Sequence, residues 1–300
     1  MTALPAPHRR RPKYGRYLAW LVLAIILAIA LLPIWVMVST ALTYPKDLFD
    51  SNVSLIPRGA SFFNFARVLG IVSANASHAA GGSGASINFA LALRNTVLYA
   101  GVIVIVQTLL SAMAAYPLAR MRFFGRDFLF YLFISALMIP QIVLFIPNFI
   151  LIRQLGWINT FAGLIAPTVL FSPFSVFFLR QFFLALPKEI EESARLDGAS
   201  HFTIFWRLVL PISWPPIATL ILLNSILMWN DFFWPFLVGR NSQTRLLTTV
   251  LQFFQTQTPN GVPDWTGLMA GSTLASIPVL ILLVVLGRRV VQSIQFSGLK

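Results

Sequence analysis

The sequence predicts an all-α, polytopic membrane protein: six transmembrane helices, both termini in the cytoplasm, and short cytoplasmic helices between the fourth and fifth spans. Three observations carry this expectation. Of the 300 residues, 57% are apolar and 10% are charged, against about 25% charged in soluble domains. The apolar residues gather into six runs of roughly 20, the length an α-helix needs to cross a bilayer with its backbone satisfied internally. The third observation is the distribution of positive charge. Fifteen of the 22 lysines and arginines fall before residue 17, in the 120–126 turn, between 180 and 207, and in the C-terminal tail. An excess of that kind marks the cytoplasmic side.

Residues 1–17 form a basic cytoplasmic segment with Arg9, Arg10, Arg11, Lys13 and Arg16, and residues 18–300 form the membrane domain. The first apolar run, 18–38, is 21 residues long. A cleaved signal peptide has an apolar core of about 7–15 residues, so this run reads as a retained span. The other spans are 96–118, 128–152, 161–179, 212–229 and 268–286. Pro140, Pro147, Pro167, Pro173 and Pro278 lie within them. Membrane helices tolerate such prolines where neighbours satisfy the freed carbonyls.

Two longer connections lie on the other side. The first, residues 40–92, contains SANASHAAGGSGAS (residues 73–86), whose small polar composition reads as a flexible linker. The second, residues 231–265, contains RNSQTR and TQTPNGVPD, which are turn-prone and rich in hydrogen-bonding groups.

Several function classes drop out. The net charge of +13 lies between apolar runs, where it sets topology and meets lipid rather than nucleic acid. No cysteine is present, which removes disulfides and thiolate metal sites. His8, His78 and His201 stand far apart, in no ligand spacing, and no GxxxxGK[ST] loop is present to cradle a nucleotide. No convergent catalytic set is visible.

The sharpest local signal is PKEIEESARLDGASHFTIFWRLVLPISWPP (residues 187–216). Four of the chain's nine acids, Glu189, Glu191, Glu192 and Asp197, fall within nine positions. Pro187 suits a first helical position, the acids suit the positive end of the helix dipole, and Glu191 and Arg195 are spaced i, i+4. Ile190, Ser193, Ala194 and Asp197 share one face. Gly198 supplies a left-handed stop, and Ser200 caps a second helix with Phe202, Phe205, Trp206 and Val209 on its apolar stripe. Pro211 ends that helix as the fifth span begins. Small residues flanked by acids suit the docking of a basic partner; the alternative is a solvated loop whose charges stay wet.

This stretch resembles the EAA loop of ATP-binding-cassette importer permeases. The pattern stands here as Glu192-Ser193-Ala194, then Arg195, Leu196, Asp197 and Gly198, with Leu210-Pro211 downstream. Serine replaces the second small residue. AAYPLARMRFFGR (residues 114–126), PFSVFFLRQFF (173–183) and WNDFFWP (229–235) are similar to the carbohydrate-uptake branch, in particular to second permease subunits of the maltose and glycerol-3-phosphate kind. The Gly/Ser run near residue 80 has no counterpart in that pattern.

The resemblance implies a non-catalytic, cofactor-free transport subunit in a bacterial or archaeal cell membrane. Its partners are a sister permease, two ATP-binding subunits that carry the ATP and Mg, and an extracellular solute-binding protein. It also implies roles. Glu192 pairs with a basic residue of the ATPase, Ser193, Ala194 and Asp197 belong to the contact, Gly198 makes the bend, and Leu210-Pro211 join this lever to the fifth span. Oligosaccharides, monosaccharide derivatives and glycerol phosphate all fit as solutes.

Polar residues within spans are costly and mark functional candidates. Asn224, Trp229, Asn230 and Asp231 are the candidates for the translocation path, since aromatic faces beside amides and carboxylates suit sugar rings. Tryptophan also anchors interfaces, and Asn or Gln also bonds neighbouring helices. An ion-coupled secondary transporter is the alternative reading. No acid lies mid-span, which counts against proton coupling but leaves sodium sites built from carbonyls open.

Overall fold

The computed structural model describes residues 14–48, 59–84, 87–256 and 263–297. The basic stretch before residue 14 and Lys300 lie outside them. The described residues are helical and contain no strand. Three helices are long and apolar enough to cross a membrane unaided: α1 (Tyr14–Leu42), α4 (Phe89–Arg120) and α16 (Trp265–Ser297). They contain the first, second and sixth expected spans. Between α1 and α4 lie two short helices, α2 (Phe63–Val68) and α3 (Ala74–Ala79).

The middle expected spans fall on broken helices where the sequence suggests straight rods. The third is α5 (Arg126–Ala136) and α6 (Gln141–Gln154), bent by 93°. Pro140 takes extended dihedrals (φ −61, ψ 129) at the break, and a proline pushes its predecessor out of the helical region. The fourth is α7 (Phe161–Ile165), an irregular stretch and α8 (Pro173–Ala185). Pro167 lies in the gap, and Pro173 opens α8 behind the Ser172 cap.

Neighbours satisfy the backbone exposed by this gap. Gln107 Nε2 donates to the Thr168 carbonyl at 2.5 Å, the Ser172 N–H donates to Ser111 Oγ at 3.3 Å, and Trp234 Nε1 donates to the Leu164 carbonyl at 3.1 Å. An unpaired backbone group in hydrocarbon costs several kcal/mol, so Gln107 and Ser111 make the broken span possible.

After α8 come α9 (Lys188–Leu196) and α10 (His201–Ile204), a π-turn at Phe205–Val209, α11 (Leu210–Ile212) and α12 (Trp214–Trp229). The second helix of this elbow, as we call the α9–α10 bend at Gly198, therefore does not stop at Pro211. It runs on to Ile212, and the chain then bends by 74° into α12. Pro211 has no N–H to donate, and the wider turn before it sends the Leu210 N–H back to the Phe205 carbonyl. Beyond α12 are α13 (Phe233–Val238), α14 (Leu247–Leu251) and α15 (Phe253–Thr256).

Three apolar clusters hold the bundle, and α4 enters each. Phe89 and Ala92 pack with Val68, Leu251, Phe254 and Ala270 at one end. Tyr99 and Ile103 pack with Ile152, Leu164 and Trp234 in the middle. Ala112, Ala115 and Tyr116 pack with Leu179, Phe183, Ile204 and Val209 at the other end. In contrast, none of the most apolar stretch of α1 is buried; its long side chains face outward, as a lipid-facing span requires.

The Gly/Ser-rich run is the largest departure from expectation. Residues 73–84 are ordered, whereas 85 and 86 lie outside the described residues. Ser73 caps α3 by accepting from the Ala76 N–H. Beyond α3, the Ser83 N–H donates to Asp264 Oδ2 at 2.7 Å. The same carboxylate pairs with Arg67, whose guanidinium also donates to Ser77 Oγ (2.8 Å) and Asn64 Oδ1 (3.0 Å). The glycines permit close approach: a Cβ on Gly82 collides with the Arg67 guanidinium, and one on Gly84 with the His78 imidazole. Small residues here serve contact rather than freedom.

Candidate functional site

The elbow is built from its caps. At the C-terminus of α9 the Gly198 N–H returns to the Arg195 carbonyl at 3.0 Å, and the Ala199 N–H returns to the Ala194 carbonyl at 2.9 Å. Gly198 has φ +83. This is the Schellman arrangement, in which a glycine at C′ closes the helix without Cβ strain. Ser200 then accepts from the Thr203 N–H at 3.2 Å and starts α10.

Burial sorts the α9 residues into an outer tip and an inner foot. Glu189, Ile190, Glu192, Ser193, Leu196 and Asp197 are exposed. Leu196 is 90% exposed, which is unusual for an apolar side chain beside three acids. No atom lies within 4 Å of a Cβ placed on Gly198. Ala194 differs from its expected companions on the outer face. It is half-buried against the apolar cluster of α4 and α8, so Ile190, Ser193 and Asp197 present that surface without it. Leu210 is also half-buried there, while Pro211 is exposed.

Glu191 points inward. Its carboxylate lies 3.1 Å from Arg120 Nε and 3.9 Å from Arg195 Nη2. The closer contact is ionic, since its angle does not make an aligned hydrogen bond. Arg120 also donates to the Leu186 carbonyl at 2.5 Å. Nearby, Arg180 donates to the Leu118 carbonyl at 3.1 Å and stacks 3.7 Å above the Phe130 ring. The sequence pairs Glu191 with Arg195 by local spacing; the buried partner Arg120 carried no signal beyond closing a span with a positive charge.

The four candidates for a translocation path separate in space. Trp229 and Asn230 line a groove of about 400 Å³ between α12, α14 and α16, with Thr248, Leu251, Ser272 and Ser276 on its walls. Trp229 Nε1 donates to the Ala275 carbonyl at 3.0 Å, and Asn230 Nδ2 to the Ile226 carbonyl at 2.7 Å. Asn224 is buried elsewhere, 3.4 Å from Ser175 Oγ, and joins α12 to α8. Asp231 does not line the groove but braces it. Its carboxylate accepts from the Tyr99 hydroxyl at 2.6 Å, and its carbonyl from the Thr248 hydroxyl at 2.8 Å. Sequence reasoning missed Thr248, Ser272 and Ser276. The Ser272–Ser276 pair has an i, i+4 spacing within an apolar helix, and this was the available signal.

Comparison with known proteins places this architecture. Residues 107–296, which include the groove helices and the whole elbow, match the family described as binding-protein-dependent transport system inner membrane component. The arabinooligosaccharides transport system permease protein AraQ of Halalkalibacterium halodurans is 35% identical over 69% of this chain and 72% of its own length. AraQ of Bacillus subtilis is 30% identical over 97% of this chain and 99% of its own. The sn-glycerol-3-phosphate transport system permease protein UgpE of Yersinia pestis is 30% identical over 86% and 88%. In fold, the chain is similar to a subunit of a bacterial transporter of the ATP-binding-cassette type that imports alginate, with a TM-score of 0.76, 23% identity, and coverage of 95% of this chain and 99% of the other. The family match over most of the chain, joined to an acidic Schellman elbow on a helical membrane bundle, makes this protein a member of the binding-protein-dependent transport system inner membrane components.

Proposed function

We propose that this chain is a transmembrane permease subunit of an ATP-driven, binding-protein-dependent importer of a carbohydrate or sugar-like solute. The carrying observation is the tip of α9. Glu189, Glu192, Ser193, Leu196 and Asp197 stand exposed on a helix fixed by a Schellman bend, in the stretch that resembles the EAA loop. Carboxylates with small and apolar neighbours on a stiff helix suit a complementary groove on another protein, with Glu192 meeting a basic residue.

In this reading two ATP-binding subunits hold ATP and Mg, and one of them receives α9. A sister permease completes the pathway, and an extracellular solute-binding protein delivers the solute; this chain performs no catalysis. The six spans are α1, α4, the bent α5–α6 pair, the α7–α8 pieces, α12 and α16, within a cell membrane that keeps both termini and the elbow in the cytoplasm. Trp229 and Asn230, with Thr248, Ser272 and Ser276, line this subunit's share of the solute path. Their ring face and hydroxyls suit a sugar.

Uptake by proteoliposomes containing the assembled importer tests the reading. Inactivating the ATPase subunits is expected to stop uptake, and uptake that continues on an ion gradient alone overturns it in favour of a secondary transporter. The groove has its own test. Ser276→Trp fills it and is expected to lower uptake about tenfold, equivalent to roughly 1.4 kcal/mol, with ATPase binding unchanged. Unaltered uptake by Ser276→Trp removes the groove from the path.

A further inference from the structure

Of the four acids in the elbow, Glu189, Glu192 and Asp197 are exposed and Glu191 alone is buried. Its main partner, Arg120, is the last residue of α4. The side chains of the pair are 8% and 5% exposed. Arg120 also holds the Leu186 carbonyl, just before α9 begins. The inner foot of α9 is therefore joined to the end of α4 by a buried ion pair, and removing one partner alone leaves an uncompensated buried charge, which is costly.

Two routes lead from α9 to the groove. The route along the chain crosses three interruptions of regular helix: the positive-φ bend at Gly198, the π-turn at Phe205–Val209, and the 74° bend at the start of α12. The route through Arg120 enters α4, which has 32 residues and runs unbroken from Phe89 despite Pro117. At a rise of 1.5 Å per residue it is about 48 Å long, with roughly 31 Å between Tyr99 and Arg120. In its other half the Tyr99 hydroxyl holds Asp231 at 2.6 Å, and Asn95 Nδ2 holds the Gln243 carbonyl at 2.8 Å. Asp231 in turn accepts from Thr248 on the groove wall.

We propose that the Arg120–Glu191 pair is the positioning link that carries movement of α9 into α4, and through α4 to the Tyr99–Asp231 contact beside the groove. The proposal rests on the reading of α9 as the ATPase contact. Glu192 and its exposed neighbours take the load from the partner, Glu191 passes it on, and the pair stays closed throughout the cycle. Gly198 sets the angle at which α9 meets the partner and is not the conductor.

The test is the number of ATP molecules hydrolysed per solute transported, measured for the assembled importer in proteoliposomes. Glu191→Gln and Arg120→Gln are each expected to raise that ratio about tenfold, within the range of coupling free energies between sites. Hydrolysis and assembly persist, and the double variant is no worse than either single one. A purely structural pair lowers hydrolysis and transport together and leaves the ratio unchanged, so a wild-type ratio in assembled variants overturns the proposal. If the single variants do not accumulate, R120C/E191C replaces them, since it leaves no unpaired buried charge and the chain has no cysteine of its own. Unbridged it is expected to be uncoupled, and a short bis-methanethiosulfonate cross-linker, which forms a disulfide with each cysteine and releases methanesulfinate, is expected to bring the ratio back toward wild type. A wild-type ratio in the unbridged pair, or no recovery on bridging, overturns the proposal. Failure of the wild-type chain to assemble with an ATPase at all overturns both this link and the reading beneath it.

Discussion

Asp264→Asn is expected to destabilise the protein by about 3–5 kcal/mol, the cost of leaving one member of a buried ion pair without its partner. The side chains of Arg67 and Asp264 are 3% and 4% exposed. The carboxylate also accepts from the Ser83 and Gly267 N–H groups and from the Thr266 hydroxyl. Its loss releases the 73–84 segment, α2 and the start of α16 together. Thermal melting in detergent measures the effect, and a change below about 1 kcal/mol counts against the clamp. Replacing both partners with apolar residues is expected to cost much less, because no buried charge is then orphaned.

The same clamp sets a pH response. Burial pushes the Asp264 carboxyl up, but the Arg67 guanidinium and the N–H donors of Gly267 and Ser83 outweigh that and hold it below the usual carboxylate range. A depressed folded-state pKa contributes stability that is present above the unfolded value, about 3.9 for Asp, and is lost as pH falls through the folded value. The clamp's contribution is therefore flat from neutrality to about pH 5 and declines only below about pH 4. In Asp264→Asn that acid-side decline disappears.

Gly198→Val is expected to abolish uptake, by about 100-fold or more, at the upper end of coupling free energies between sites. The chain itself is expected to insert normally. Nothing lies within 4 Å of the new Cβ, so the only local cost is about 1–2 kcal/mol of left-handed backbone strain. Relief of that strain changes the angle between α9 and α10 and misplaces the acidic tip. Gly198→Asn, which tolerates φ near +83, is expected to retain most uptake. Uptake assays beside membrane-fraction blots separate the outcomes: normal transport by the valine variant sinks this account of the bend, and loss of both variants from the membrane assigns Gly198 to folding instead.

The bend of the elbow was legible because the caps that shape it are local. The acids of the first turn, Gly198 and the Ser200 cap act within a few residues of their own positions, while Pro187 stands one place outside the helix, at the N-cap of α9 rather than its first helical position. Hydropathy also found the helical membrane class and the long spans. It could not see the break in the 166–172 stretch, because the groups that permit it come from elsewhere in the chain; the break at Pro140 has a local cause in the proline itself. Gln107 and Trp234 supply hydrogen bonds across α4, α7 and α13 that no window on the sequence contains. The Gly/Ser run misled for a related reason. Composition reports how free a segment is in isolation, whereas Arg67 and Asp264 impose a close contact that only glycine admits. Glu191 shows the limit of helical spacing: Arg195 one turn away was visible, but the nearer charge ends a span read as independent.

Helix α1 packs along α16, and α16 also packs on α12 and α2. Helix α1 thus meets this neighbour only after the last of the described helices has been made, with α2 beside it earlier and with Arg67 and Asp264 repeating the same early-to-late pairing. Until then α1 waits in lipid. Native packing consequently waits on α16, and a nascent protein cut short before that helix leaves α1 without its main partner for membrane proteases to find.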